Sequence, residues 1–495
     1  MRNQGWRIAW AVAIGIVLSS IAIDIRRPMW ADEIYTVLTA RQPSVSGILE
    51  YIREYCEGIP PLYLAIVHFL IPIFGNDALA ARLPATLGFG AMVLGVFTFC
   101  KARMNAAYSL LAALLCCQVC LYFAREGRPY GAVLGCATWA LVFWQRAPAR
   151  RRADLIGLAV CLGFAVALHY YAICILGSLL LAEMIAACRD RKWNPGVLWA
   201  MTAPLMVLAI HYPLIHAGRP FQVHFWSKAE FGMILPFYGR FLWPILLLCG
   251  GAFAVFRVFT LNGRARENLR NLPQRDVVML LALCATPALT VMVSMVTTHI
   301  FVDRYLLWAA PGFAIVAAAT LEKSVAPNNV VPKSLIAILL TMLCFQQVVG
   351  IAREPKLTEG AEALNKLKGL GRIEGIIVIP DAHVFAELAY YAPSYIRNCL
   401  VYPEDADLDI QYFGSDSSPL QYRALGKRGE LAVQSLDQLL ERYPNFTMVA
   451  YNRDYLPNYL RRRGWKLKSL TESDQPVIWY AKRDRMPWRA LSTSR

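Results

Sequence analysis

Long apolar runs separated by short polar stretches fill the chain up to about residue 351. A helix needs roughly 20 apolar residues to cross a bilayer. Runs close to that length are 8–24, 79–100, 106–122, 130–146, 154–169, 172–188, 197–215, 241–257, 277–297, 305–321 and 334–351. The pattern therefore predicts a polytopic α-helical membrane protein with about eleven transmembrane helices.

The stretch 60–75 is also apolar enough to span a membrane, but the distribution of basic residues disfavours this. Lysine and arginine collect in the cytoplasmic loops of membrane proteins. With a cytoplasmic N-terminus and a non-crossing 60–75, nearly every basic cluster falls on the cytoplasmic side. We therefore expect 60–75 to be a helix that lies along the outer interface or dips into the membrane and returns, within a first periplasmic loop over 25–78. The segment 229–240 predicts a second interfacial helix, and the apolar run 154–188 should reverse near His169.

The composition of the sequence changes near residue 352, where charged residues and turn-forming residues become frequent. The pattern predicts strands at 373–380, 398–402, 446–451 and 476–482 and helices at 382–392, 435–442 and 454–463. Strands that alternate with helices are typical of an α/β domain. We therefore expect a transmembrane domain over 1–351 and a small C-terminal α/β domain over 352–495. An odd number of crossings places this second domain in the periplasm.

Composition supports the membrane assignment. The chain is 57% hydrophobic and 17% charged, whereas soluble proteins carry about 25% charged residues. The net charge of +16 is best explained by basic cytoplasmic loops, so we expect no nucleic-acid partner. Cys117 and Cys120 form a CxxC pattern, but it lies inside an apolar run and predicts buried small side chains rather than a metal or redox site.

With this topology, the unusual polar residues fall on one face of the membrane. They are Asp32, Glu33, Glu57, Arg125, Glu126, Arg128, His169, Tyr170, His216, Arg219, His224, His299, Asp303, Arg304 and Tyr305. Ionisable residues at membrane level are costly and usually mark a site, although each one alone could be an ion pair that fixes helix packing. Carboxylates can act as a general base or bind a metal, and arginines bind phosphate oxygens. The set predicts a phosphate-linked lipid substrate and an acceptor that loses a proton.

The first outer loop contains the sharpest local pattern. Asp32 and Glu33 directly follow the first apolar run, and Glu57 precedes the pair Pro60-Pro61. Prolines restrict the backbone that enters the next helix, so we expect Glu57 to be held in a defined position. Rigid placement is what a catalytic or metal-binding carboxylate needs.

The motifs WADE, EGIPPLY, AREGRPYG, LHYYA and DRYLLWAAPG resemble those of the GT-C glycosyltransferases. The resemblance is to the branch that contains lipid A aminoarabinose transferases, protein O-mannosyltransferases and lipopolysaccharide galacturonosyltransferases. It extends over residues 5–320 and is strongest over 28–175. It implies a bacterial inner-membrane enzyme that moves a sugar from a polyprenyl-phosphate donor to a lipid, glycan or protein acceptor on the periplasmic face.

The resemblance also implies roles for individual residues. Asp32 matches the base that deprotonates or orients the acceptor hydroxyl in an inverting single displacement, and Glu33 is placed in the catalytic set beside it, with loop positioning as the alternative. The donor-phosphate set is Arg125, Arg128, Arg304 and Tyr305, and the cavity or substrate set is Glu57, Tyr63, Glu126, His169, Tyr170 and His299. Many relatives have Asp-x-His-Pro-Pro where this chain has Glu57-Gly-Ile59-Pro-Pro. No cofactor is therefore certain, and a divalent metal at Glu57 stays an open alternative.

Two other functions fit a polytopic protein. A lipid flippase or transporter would have charged residues near the middle of the membrane, whereas the charges here collect at one set of helix ends. A non-catalytic scaffold for the C-terminal domain would not need a carboxylate-rich loop opposite an arginine-rich one. The pattern favours the transferase.

Overall fold

The computed structural model describes residues 2–55, 59–149, 151–246, 250, 272–325, 330–354, 357–371, 373, 375–429, 431–472 and 475–484. The N-terminal half is helical. Its helices are α1 (Arg2–Asp24), α2 (Ala31–Ala40), α3 (Val45–Tyr55), α4 (Pro61–Phe74), α5 (Asp77–Lys101), α6 (Ala106–Cys120), α7 (Tyr130–Arg146), α8 (Arg152–Leu168) and α9 (Cys174–Asp190).

The helical region continues to residue 352. Its further helices are α10 (Pro195–Ala200), α11 (Ala203–Ala217), α12 (Pro220–Val223), α13 (Ile234–Phe241), α14 (Gln274–Val296), α15 (Ala310–Ser324) and α16 (Val330–Ala352). Short 3₁₀ segments at Leu121–Ala124, Tyr170–Ile173, Phe231–Met233 and Asp303–Ala309 connect or extend them.

Eight apolar helical segments within the described residues are long enough to cross a membrane. The helices α7 and α8, of 17 residues each, coincide with two more predicted spans. The predicted span 241–257 lies mostly outside the described residues. Elsewhere each predicted span coincides with a helix, and the helical run 154–188 is interrupted at His169 between α8 and α9, where a reversal was expected. The predicted polytopic fold is confirmed.

The helix α4 occupies the ambiguous stretch 60–75. It has 14 residues, a length of about 21 Å at 1.5 Å per residue, which is less than the roughly 30 Å hydrocarbon core of a bilayer. Pro61 starts the helix, and Gly75 ends it with a left-handed φ of 60°. The helix packs against the first loop, where the His68 Nδ1 lies 2.7 Å from the Ala40 carbonyl oxygen.

Small residues let α5 and α7 pack backbone to backbone. A Cβ atom on Gly131 would lie 2.3 Å from the Ala85 carbonyl oxygen, and one on Gly135 would lie 2.5 Å from the Gly88 carbonyl oxygen. Close approach through small residues is a common mode of packing between transmembrane helices. It fixes the loop 125–129, which precedes α7, against the N-terminal turns of α5.

The C-terminal region is a small α/β domain, as predicted. Its strands are β1 (Ile377–Val378), β2 (Leu400–Glu404), β3 (Val433–Ser435), β4 (Asn445–Ala450), β5 (Trp465–Ser469) and β6 (Val477–Arg483), in the order β3-β2-β1-β4-β6-β5. The pairs from β3 to β4 are parallel, and β6 runs antiparallel to both β4 and β5.

The helices of this domain are α17 (Glu359–Gly369), α18 (Ala382–Tyr391), α19 (Ser394–Arg397), α20 (Ala406–Phe413), α21 (Ser417–Lys427), α22 (Leu436–Arg442) and α23 (Leu456–Arg462). The pattern of apolar residues predicted α18, α22 and α23 but not α17, α20, α21 or the edge strands β3 and β5. The omission of α21 matters, because this helix contributes to the cavity described below.

Candidate active site

A cavity of about 640 Å³ lies between the helical region, the first loop and the C-terminal domain. Its lining includes Asp32, Tyr35, Ile59, Pro60, Arg128, Tyr130, His169, Tyr170, Tyr171, Leu208, Phe221, Phe225, Trp226, Leu289, Val293, Arg304, Tyr305, His383, Ser417, Ser418 and Gln421. The sequence-predicted residues Asp32, Arg128, His169, Tyr170, Arg304 and Tyr305 are thus brought together from four separate stretches of the chain.

Asp32 reaches the cavity from the first turn of α2. Its Oδ2 lies 3.4 Å from the Arg304 Nη2, and the side chains of Asp32 and Arg304 keep 18% and 23% of their surface exposed. The Arg304 Nε donates to the Tyr130 hydroxyl at 3.0 Å. This contact aims the guanidinium at the cavity, so that a carboxylate and a cation face the same space.

Glu33 follows Asp32 by one residue, yet it does not line the cavity. Its carboxylate has no exposed surface and receives a bidentate contact from Arg82, with Nε to Oε1 at 2.8 Å and Nη2 to Oε2 at 2.5 Å. The Gly127 amide donates to Oε1 at 2.6 Å, and the Trp30 amide lies 3.3 Å from Oε2. The Glu33 carboxylate is therefore occupied by protein donors, which agrees with the loop-positioning alternative, and its role stays a prediction.

Arg82 is the central residue of this buried contact. It lies inside the apolar helix α5 with no exposed surface. Besides binding Glu33, it donates to the carbonyl oxygens of Asp24, Arg27 and Pro28 at 2.7, 2.8 and 3.0 Å. Arg82 thus fixes the turn between α1 and α2. Sequence analysis overlooked it, although a charged residue within an apolar span requires a partner.

The pKa of Glu33 reflects these contacts. Burial alone raises the pKa of the carboxyl, but the hydrogen bonds and charge of Arg82, the charge of Arg27 and the Gly127 amide outweigh it. These contacts hold the pKa of Glu33 below its usual range, which favours the anion at neutral pH. Gly127 also has to be small, because a Cβ there would lie 3.2 Å from the Glu33 Cγ.

Arg128 joins the loop before α7 to α2. Its Nη1 lies 3.4 Å from both the Asp32 carbonyl oxygen and the Thr36 hydroxyl, while Thr36 donates to the same Asp32 carbonyl at 2.9 Å. Arg128 also lines the cavity. Two arginines, Arg128 and Arg304, therefore present positive charge next to Asp32.

Aromatic side chains complete this part of the cavity. The ring of His169 lies 4.6 Å from that of Tyr305 and 5.8 Å from that of Tyr130, measured between centroids. Tyr170 contacts a different helix, α11, where its hydroxyl lies 3.3 Å from the His211 Nδ1. The segment between α8 and α9 thus contributes polar aromatic side chains to the lining of the cavity.

Besides Glu33, four of the predicted site residues that the structure describes do not line the cavity. Arg125 contacts Gln347 on α16 through a hydrogen bond, and the buried Tyr63 donates to the Ala81 carbonyl oxygen at 2.6 Å. His299 is exposed and has a left-handed φ of 56°. Glu126 is 2% exposed. Glu57, the predicted metal ligand, lies outside the described residues.

Glu126 is nevertheless electrostatically coupled to the site. Burial raises the pKa of its carboxyl to about 7, although Arg128 and Arg304 act in the opposite direction and Asp32 and Glu33 add to the rise. Its Oε2 is buried and has no hydrogen-bond partner among the residues that the structure describes. Glu126 is therefore a group near the cavity whose charge changes close to neutral pH.

The C-terminal domain contributes residues that the sequence did not single out as functional. His383, Ser417, Ser418 and Gln421 line the cavity from α18 and α21. No apolar periodicity signalled α21, and His383 alone was indistinguishable from a solvated loop residue. Within the described part of the chain, no three His, Cys, Asp or Glu side chains are grouped so that they could hold a metal ion.

The comparisons with known proteins agree with the predicted class. Residues 59–216 match the family model of dolichyl-phosphate-mannose-protein mannosyltransferases. This segment includes α4 to α10, nearly all of α11 and the loop 125–129, but not Asp32 or Arg304. A search of curated proteins gives no match to the chain.

The fold is shared with ArnT from Cupriavidus metallidurans. The apo structure of ArnT aligns with a TM-score of 0.63 at 13% identity, covering 97% of this chain and 98% of ArnT. Its structure bound to undecaprenyl phosphate aligns with a TM-score of 0.61 at 15% identity, covering 96% of this chain and 98% of ArnT. The predicted resemblance to GT-C membrane glycosyltransferases is confirmed at the level of the fold, and it includes the C-terminal domain.

Proposed function

We propose that this protein transfers a sugar from a polyprenyl-phosphate donor to a hydroxyl acceptor on the periplasmic face of the bacterial inner membrane. The observation that carries the proposal is the contact between Asp32 and Arg304 at the wall of the cavity. A transfer of this kind needs a carboxylate for the acceptor proton and a cation for the leaving phosphate. The solved complex of ArnT with undecaprenyl phosphate, a protein of the same fold, supports a lipid phosphate as the donor.

The chemistry is a single displacement. The acceptor hydroxyl oxygen attacks the anomeric carbon as the bond from that carbon to the phosphate oxygen breaks. The acceptor proton moves to the Asp32 carboxylate, and the polyprenyl phosphate leaves with the bonding electron pair. Arg304 and Arg128 stabilise the negative charge that develops on the phosphate oxygen. The anomeric configuration inverts.

The apolar part of the cavity fits the lipid portion of such a donor. Leu208, Phe221, Phe225, Leu289 and Val293 line it. Leu208 is on α11 and Phe221 on α12, Phe225 follows α12, and Leu289 and Val293 are on α14. An isoprenoid chain that packs against these side chains would place its phosphate toward Arg304.

The proposal is tested by deleting the gene and comparing the envelope lipids and glycans of the two strains by mass spectrometry. We expect one envelope component to lose the mass of a single sugar unit and the polyprenyl-phosphate sugar to accumulate. The wild-type gene restores both. An envelope unchanged in every sugar-bearing component would contradict the proposal.

A further inference from the structure

The cavity has two walls of different chemistry. The first wall carries the charged residues Asp32, Arg128 and Arg304. They come from α2, the loop 125–129 and the 3₁₀ segment Asp303–Ala309. The second wall is formed by the C-terminal domain, whose described lining residues are His383, Ser417, Ser418 and Gln421. None of these four carries a fixed charge.

The uncharged wall is held in place within its own domain. Asp381 caps α18 by accepting from the Val384 amide at 2.9 Å, and Arg453 binds the same carboxylate at 2.6 Å. On α21, Tyr422 donates to the Ala382 carbonyl oxygen and stacks on Tyr402 with ring centroids 4.3 Å apart. The two helices that carry the wall are therefore bonded to each other.

The wall is also fixed relative to Asp32. The Tyr35 hydroxyl lies 2.7 Å from the Tyr422 hydroxyl, and Tyr35 follows Asp32 by three residues on α2, so both lie on one helix face. The Met29 amide donates to the Tyr391 hydroxyl at 2.7 Å. The segment that carries Asp32 is thus joined to the domain that carries the uncharged wall.

We propose that His383, Ser417, Ser418 and Gln421 form the acceptor subsite, and that it selects an uncharged, hydroxyl-rich group, which is a sugar unit rather than a phosphorylated headgroup. This inference rests on the proposed transferase function. Hydroxyl and amide side chains can both donate to and accept from sugar hydroxyls. A phosphate placed there would lose water without gaining a cation, which is unfavourable. The charged wall receives the donor phosphate instead.

The test uses the purified full-length protein in lipid nanodiscs. The polyprenyl-phosphate lipid fraction of the deletion strain serves as donor, and the glycan-bearing envelope fraction of the same strain serves as acceptor. We expect Gln421→Ala to raise the KM for the acceptor fraction about 2- to 10-fold, as expected for the loss of one neutral hydrogen bond. The KM for the donor fraction should not change. Gln411→Ala, at an exposed position of α20 in the same domain, is the matched control.

His383→Ala gives a second variant that does not depend on packing, because His383 is exposed. It should also raise the KM for the acceptor fraction, with an unchanged melting temperature. Mass spectrometry of the product should place the new sugar on a unit without phosphate. The inference is overturned if the product carries the sugar on a phosphorylated unit, or if both variants match Gln411→Ala. Failure of the wild-type protein to transfer any sugar would instead refute the underlying function.

Discussion

The adjacent residues Asp32 and Glu33 on α2 each pair with an arginine, but the two pairs have different surroundings. Asp32 and Arg304 meet at 3.4 Å at the edge of a cavity, with 18% and 23% of their side chains exposed. Glu33 and Arg82 meet at 2.5 Å with no exposed surface. The first pair is open to a substrate, while the second has its oxygens occupied by protein donors. The same two chemical groups are thus open to a cavity or enclosed by protein donors according to which face of the helix they occupy.

The largest effect on stability is expected from the buried pair. Glu33→Gln leaves Arg82 charged and without its anion, and loss of one partner from a buried ion pair costs about 3–5 kcal/mol. We expect a much lower melting temperature in detergent. Asp190→Asn, which breaks the exposed pair with Arg189, is the control and should change little. Equal melting temperatures for the two variants would show that the Glu33 contact is not structural.

The exposed pair should show its effect in catalysis. Arg304→Gln removes the cation proposed to stabilise the leaving phosphate, and the loss of such a group costs about 10²–10³-fold in kcat. Turnover of the donor fraction measures it. The control is Arg240→Gln, since Arg240 binds Asp303 next to Arg304 in sequence but does not line the cavity. Similar turnover in both variants would exclude the assigned role of Arg304.

Glu126 interacts electrostatically with Asp32, Arg304 and Glu33, and its own charge depends on pH. Its pKa is raised from the ordinary value of 4.5 to about 7 in the folded protein. Between these two pH values the folded protein therefore binds the proton, whereas the unfolded chain does not. The contribution of Glu126 to the free energy of unfolding is therefore greatest below pH 4.5 and decreases as the pH rises to 7. Glu126→Gln should flatten the decline in melting temperature over this window. An unchanged pH profile in the variant would contradict the assignment.

The smallest effect is expected where the first loop meets the C-terminal domain. Tyr35→Phe and Tyr422→Phe each remove the hydroxyl contact of 2.7 Å, worth about 0.5–1.5 kcal/mol. Because both variants break one shared contact, the double variant should cost less than the sum of the two. Melting temperatures and acceptor KM values of the four proteins measure this coupling. Strict additivity would show that the contact is not formed.

Much of the fold was predictable because its signal is local. Runs of apolar residues defined the spans, and alternating short segments defined the α/β domain. The clustering of Asp32, Arg128, His169 and Arg304 was also predictable, since each is a polar residue at the end of an apolar run. The length of α4 agrees with a non-crossing interfacial helix, whereas the side of the membrane it faces stays a prediction.

Other parts of the site depend on information that the sequence pattern lacks. Neighbouring residues on a helix point about 100° apart, so Asp32 and Glu33 had to differ, but nothing in WADE says which one faces the cavity. Arg82 lies within an apolar span, and its partners Glu33 and Asp24 are 49 and 58 residues away in the sequence. The uncharged wall arises from long-range packing of α18 and α21 against α2.

The most direct test of the account is Asp32→Asn, measured for sugar transfer, binding of undecaprenyl phosphate and melting temperature in one preparation. If Asp32 takes the acceptor proton, transfer should fall about 10²–10⁴-fold, while lipid binding and melting temperature stay at wild-type values. This is the reverse of the pattern expected for Glu33→Gln. Transfer at the wild-type rate in a folded Asp32→Asn protein would contradict the account.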